Sequence, residues 1–124
     1  MRKYVLILIL LICYTQANTF DKEVALAKDY SLAYCLSNFS QTTPSNDIAV
    51  AQSMYFQTMT IGQKAYKKIH HYIKNYMSSN HIYDINPDNP RENEPVYFIM
   101  CLEMYHSKEF HTAIEKIVKG IIHQ

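Results

Sequence analysis

The sequence predicts an all-α fold, a small bundle of about five helices with one disulfide and a long loop between the third and fourth helices. Three observations carry this reading. Apolar residues recur at intervals of three and four along most of the chain, the period of a helix with one buried face. No stretch alternates with period two, and there is no internal repeat or low-complexity tract. Pro44, Gly62, Pro95, Ser107 and Gly120 fall at the ends of the periodic runs, where helices start and stop. At 124 residues the chain is long enough for one domain.

The first residues stand apart from that domain. Arg2 and Lys3 form a basic start, Tyr4–Ile12 is almost purely aliphatic, and Thr15-Gln16-Ala17 is a small-x-small cleavage site. Residues 1–17 therefore read as a cleaved secretory signal peptide and 18–124 as a single helical domain. A membrane anchor needs about 20 apolar residues, more than this run supplies. Cys13 would suit a lipoprotein only if Ile12 were a small residue. Without Arg2 and Lys3, 10 basic side chains face 11 acidic ones, a net charge of −1. That balance offers no footprint for nucleic acid and no polybasic patch for an anionic membrane.

In the first helix, over about 19–38, Asn18 or Thr19 is placed to cap, with Asp21 and Glu23 in the first turn. Phe20, Val24, Ala27, Tyr34, Cys35 and Phe39 mark its inner face. Pro44 opens the second helix, whose face is Ile48, Ala51, Met54, Tyr55, Thr58 and Met59. Gly62 is placed to end it in the left-handed conformation. The third helix, about Gln63–Met77, carries Ala65, Tyr66, Ile69, Tyr72, Ile73, Tyr76 and Met77 on one face. Lys64, Lys67, Lys68, His71 and Lys74 fill much of the rest and read as a solvated face.

Pro95–Phe110 is the densest apolar run after the N-terminus. It reads as a core helix over Pro95–Tyr105, wrapped by the others, with Cys101 in its most buried part. Ser107 is a good N-cap for a fifth helix from Lys108, with Phe110, Ala113, Ile114, Ile117 and Val118 inward and Gly120 at its end. Cleavage after Ala17 leaves two cysteines, Cys35 and Cys101, each in an apolar run. In an exported chain that pattern reads as one disulfide.

Little in the sequence suggests catalysis. His70 and His71 are adjacent and cannot share a helix face, and no H-E-x-x-H or C-x-x-C occurs. Gly62 and Gly120 are the two glycines, too few for a phosphate loop. Neither an enzyme nor a cofactor or metal site is expected. Residues 78–94 differ from the rest: they lack helical period, carry Pro87 and Pro90, and hold Asp84, Asp88, Glu92 and Glu94 against Arg91, a charge of −3. A loop of this length is commonly functional, and its Asn-Pro turns favour a shaped protrusion. It is the best candidate for a binding element.

Cys101-Leu102-Glu103-Met104-Tyr105-His106-Ser107-Lys108-Glu109-Phe110 resembles the C-L-D-x-Y-H-S-K-E-L signature of the type VI secretion amidase immunity proteins of the fourth amidase class. Ala33-Tyr34-Cys35-Leu36 and Gly62 match the family's cysteine late in helix one and its glycine between helices two and three. The likeness covers most of the chain after residue 18. It implies a periplasmic, dimeric, all-helical inhibitor of a peptidoglycan amidase, an NlpC/P60-type cysteine hydrolase. It also implies that the loop between helices three and four enters the enzyme's cleft. Here that loop is 78–94, longer and richer in Asn and Pro than the family pattern. On this reading His81, Tyr83, Asp84, Asn86, Asp88, Asn89, Arg91 and Glu92 are the partner-binding residues, with Tyr83 as aromatic anchor. The alternative is a periplasmic helical binding or chaperone-like module with another protein partner.

Overall fold

Nothing from Tyr4 to Phe39 breaks a helix: the stretch holds neither Gly nor Pro and is rich in Leu, Ile and Ala. In the computed structural model, which describes residues 2–39, 46–80 and 95–123, it is accordingly one helix, α1, Arg2–Phe39. The expected start at residue 19 is thus overturned. Neither Asn18 nor Thr19 caps, since both lie inside the helix, where the Thr19 hydroxyl donates back to the Thr15 carbonyl (3.0 Å). The environment, not the backbone, changes near Ala17. Residues 4–19 are exposed, and packing begins at Phe20. By length and composition the apolar start of α1 could cross a membrane, as a signal sequence can.

The remaining elements are α2 Asn46–Thr58, α3 Gly62–Ser79, α4 Tyr97–His106 and α5 Lys108–Ile122, with no strand among the described residues. The second half of α1 is the spine. Its buried residues Val24, Ala27, Tyr30, Tyr34 and Cys35 face the other helices. α2 runs antiparallel to it, as the Ser37–Gln52 contact (2.8 Å) at one end and the Glu23–Thr60 contact at the other require. α3 returns parallel to α1. α4 and α5 then descend along α1 in succession, from Phe39–Tyr97 through Asp29–Tyr105 to the groove where Phe20 faces Lys119 and His123. Ile69, Ile73, Met100, Met104, Phe110, Ile114 and Val118 fill the centre.

α3 and α5 present the faces expected of them, and Ile121 extends the second. α2 is rotated from its expectation. Ile48, Ala51, Gln52, Tyr55 and Phe56 turn inward, while Met54 is 62% exposed and Thr58 faces solvent. Two contacts account for the rotation: Gln52 accepts from Ser37, and the Phe56 ring packs against Tyr30 and Tyr66.

Both glycines act differently from the expectation. Gly62 does not end α2 in a left-handed turn; it is the first residue of α3, and no glycine has positive φ. A β-carbon there would meet the Phe56 carbonyl oxygen at 2.7 Å, so the corner needs glycine for close approach. Gly120 does not stop α5, which continues to Ile122, and a β-carbon there meets nothing.

α4 is not wrapped on all sides. Met100, Cys101 and Met104 are buried, but Phe98 and Ile99 are exposed. A short helix lying on α1 can bury only one face, however apolar its sequence. The sequence links α4 to α5 as expected at Ser107. Its hydroxyl accepts from the Phe110 N–H (3.2 Å) and donates to the Met104 carbonyl (2.8 Å), closing one helix and opening the next.

Candidate functional site

The predicted partner-binding residues His81, Tyr83, Asp84, Asn86, Asp88, Asn89, Arg91 and Glu92 lie outside the described residues. The stems on either side are described. On the α3 side, Asn80 leaves the helix with extended backbone, and both its N–H and its side-chain Nδ2 donate to the Tyr76 carbonyl at 3.0 Å. On the α4 side, the Val96 carbonyl accepts from the Met100 N–H at 3.1 Å, fixing the first turn.

Both stems are held at one point on α1. Cys35 is disulfide-bonded to Cys101 of α4, with their Cα atoms 5.8 Å apart. The Cys35 sulfur also lies 3.7 Å from the Met77 sulfur near the end of α3. All three residues are at most 2% exposed. The Phe39 and Tyr97 rings, 6.3 Å apart, brace α1 against the start of α4 at the same end. The end of α3 and the start of α4 therefore share one buried, cross-linked base on α1.

The signature that carries the resemblance builds this base. Cys101 makes the disulfide, Met104 and Phe110 are buried, and Ser107 caps two helices. The Tyr105 hydroxyl donates to Asp29 Oδ1 at 2.9 Å, and the Lys28 ammonium lies 5.0 Å from the Tyr105 ring centre. Burial first, then the Asp29 bond, raises the Tyr105 pKa. Glu109 sits in the first turn of α5, where the helix dipole favours an acid. His106 is exposed and meets the Tyr105 ring edge-on at 5.5 Å.

A second polar cluster ties α1 to α3. The His70 ring stacks on Tyr34 at 3.7 Å and 9°, and its Nε2 lies 2.6 Å from the Tyr30 hydroxyl. Burial and then the Lys74 charge lower the His70 pKa, so a neutral ring accepting the Tyr30 O–H fits the site. The described tyrosines after Ala17 are all buried or half-buried, which accounts for their number as core and lining. No group of three or more His, Cys, Asp or Glu among the described residues could hold a metal ion. Residues missed by sequence reasoning are Phe98 and Ile99, hidden because the apolar run around them is continuous. Val50 and Met54, both exposed on α2, were missed too.

Residues 25–114 match the family model described as type VI secretion system (T6SS), amidase immunity protein, named Tai4. No curated protein and no solved structure matches the chain. The matched region runs from the buried face of α1 through the anchored stems and the Ser107 corner to the middle of α5, so it takes in the scaffold just described. The chain belongs to the Tai4 family of type VI secretion amidase immunity proteins, partners of an amidase effector rather than enzymes themselves.

Proposed function

We propose that the chain is exported, cleaved after Ala17, and acts in the periplasm by placing the loop that follows α3, expected over 78–94 and starting after Ser79, in the active-site cleft of a cognate cysteine amidase that cuts peptidoglycan. The observation that carries this reading is the anchoring of both loop stems through Met77, Cys35 and Cys101 in a chain of the amidase-immunity family. An amidase cleft is concave and admits an extended peptide; a braced protrusion enters it where a helix face does not. Asn and Asp side chains supply hydrogen bonds, and Pro87 and Pro90 reduce the entropy lost on docking. Asp84, Asp88 and Glu92 suit basic groups at the cleft rim and act mainly on association rate.

The mature protein is proposed to be a homodimer, with the exposed Val50 and Met54 of α2 as its apolar contact. Sedimentation giving only a monomer of about 12–13 kDa at micromolar concentration would count against the dimer. The loop is tested by replacing 82–92 with a short Gly-Ser linker. A periplasmic pull-down identifies the amidase, and its inhibition by the variant is measured with circular dichroism as the folding control. Lost inhibition with intact helicity is expected. Full inhibition by a folded variant would move the function to the helical faces.

A further inference from the structure

Tyr30 of α1, Gln52, Ser53 and Phe56 of α2 and Tyr66 of α3 line a cavity of about 270 Å³. Its three rings do not stack on one another. Phe56 stands 6.0 Å from Tyr30 at 43° and 6.1 Å from Tyr66 at 84°. The walls therefore face in different directions and enclose a box rather than a slot. The walls are also fixed from behind. The Tyr30 hydroxyl is engaged by His70 Nε2 at 2.6 Å and by the Gln52 side chain, and the His70 ring meets Tyr66 edge-on at 5.6 Å. Ser53 is exposed, so the box opens to solvent.

We propose that this box is a binding site for a small quaternary ammonium group, whatever surface meets the amidase. The face of an aromatic ring carries negative potential, and several rings within about 6 Å of a cation hold it without a carboxylate. No Asp or Glu lines the cavity. With its hydroxyl engaged, Tyr30 offers the box its ring. An anion or a sugar would find hydrogen-bond partners only in Gln52 and Ser53, whereas a trimethylammonium needs none. The volume is just under the roughly 300–1,000 Å³ of ordinary ligand pockets, which suits a small head group. His70, behind the walls, adds no fixed positive charge, since burial and then Lys74 lower its pKa. The molecule shows the same attraction internally: the Lys67 ammonium lies 5.9 Å from the centre of the Tyr66 ring. Lys67 is exposed, so it is a mobile competitor for that ring rather than a fixed occupant of the box.

The test titrates the full chain by ligand-observed NMR with choline and with its uncharged carbon isostere, in which a tert-butyl group replaces the trimethylammonium. Choline should bind roughly tenfold more tightly than the isostere. Its N-methyl signal should move upfield under the ring currents of the box. Tyr66→Leu, with circular dichroism as the folding control, should weaken choline roughly tenfold. Lys67→Gln, which removes the competing ammonium, should tighten it. Equal binding of the isostere, or no choline binding at millimolar concentration, overturns the proposal. Tighter binding of a lysine amide than of choline assigns the box to a partner's side chain and also overturns it. If Tyr66→Leu does not fold, the N-methyl signal with the unmutated chain decides: binding without an upfield shift places choline elsewhere and overturns the proposal.

Discussion

A β-carbon on Gly62 would stand 2.7 Å from the carbonyl oxygen of Phe56 and 3.4 Å from its ring. The obstructing atom is backbone, which cannot swing aside as the end of a long side chain can. Gly62→Ala therefore has to push α2 away from the start of α3. A cost of about 1–3 kcal/mol is expected in urea unfolding, in the range of overpacked sites. Gly120→Ala is the opposite case: open space, no positive φ, and a helical position. It should stabilise the protein by up to about 1 kcal/mol. Equal effects of the two substitutions would contradict this account.

Ser107 serves two helix ends with one hydroxyl. Ser107→Ala should cost about 1 kcal/mol, and Ser107→Thr, which keeps both the donor and the acceptor, should restore most of it. Thermal unfolding of the three proteins side by side checks the order.

The Cys35–Cys101 bridge closes a sequence separation of 66. The chain-entropy relation gives about 4 kcal/mol for a loop of that size, an upper value. Protein matured in the periplasm should show no free thiol when unfolded without reductant. Reduction should lower the urea midpoint substantially. Because the same bridge anchors both loop stems, reduced but folded protein should also inhibit the amidase less.

Stability should fall on both sides of neutrality. The His70 pKa is depressed in the folded state, by burial and then by Lys74. Its contribution is present above the unfolded value, near 6.5, and is lost as pH falls through the lower folded value. On the alkaline side, burial raises the pKa of Tyr30, Tyr34, Tyr72, Tyr76 and Tyr105. Their contribution is complete below the unfolded value, near 10, and is lost as pH rises through the higher folded values. Urea unfolding at pH 5, 7.5 and 10.5 measures both limbs. His70→Gln should flatten the acid limb and leave the alkaline one.

Tyr83 is the aromatic residue of the acidic segment. Tyr83→Ala should weaken amidase binding by about 2 kcal/mol, the scale of an interface hot spot, without altering the melting temperature. Calorimetric titration against the amidase reads the loss; an unchanged affinity would remove Tyr83 from the contact.

What could be read from the residues followed from local physics. A three-four period placed the buried faces of α3 and α5 because any helix with that pattern must bury one side. Ser107 before Lys108 announced a cap because its hydroxyl needs only its own neighbours. Two cysteines in apolar runs, behind an apolar start that reads as an export signal, announced their bridge. The signature around Cys101 pointed to the family that the match over 25–114 bears out. Other features depended on atoms remote in sequence. Which side of α2 turns inward was decided by Ser37 and Tyr30 on α1, and Gly62 is needed because the Phe56 carbonyl passes close by. α1 runs unbroken through its exposed apolar start because helix propensity does not register where burial begins. The continuous apolar run of α4 has no period to divide it, so only its placement against α1 separates buried Met100, Cys101 and Met104 from exposed Phe98 and Ile99. That placement also gathers Met77, Cys35 and Cys101 at one point, a convergence of three helices that no local pattern encodes.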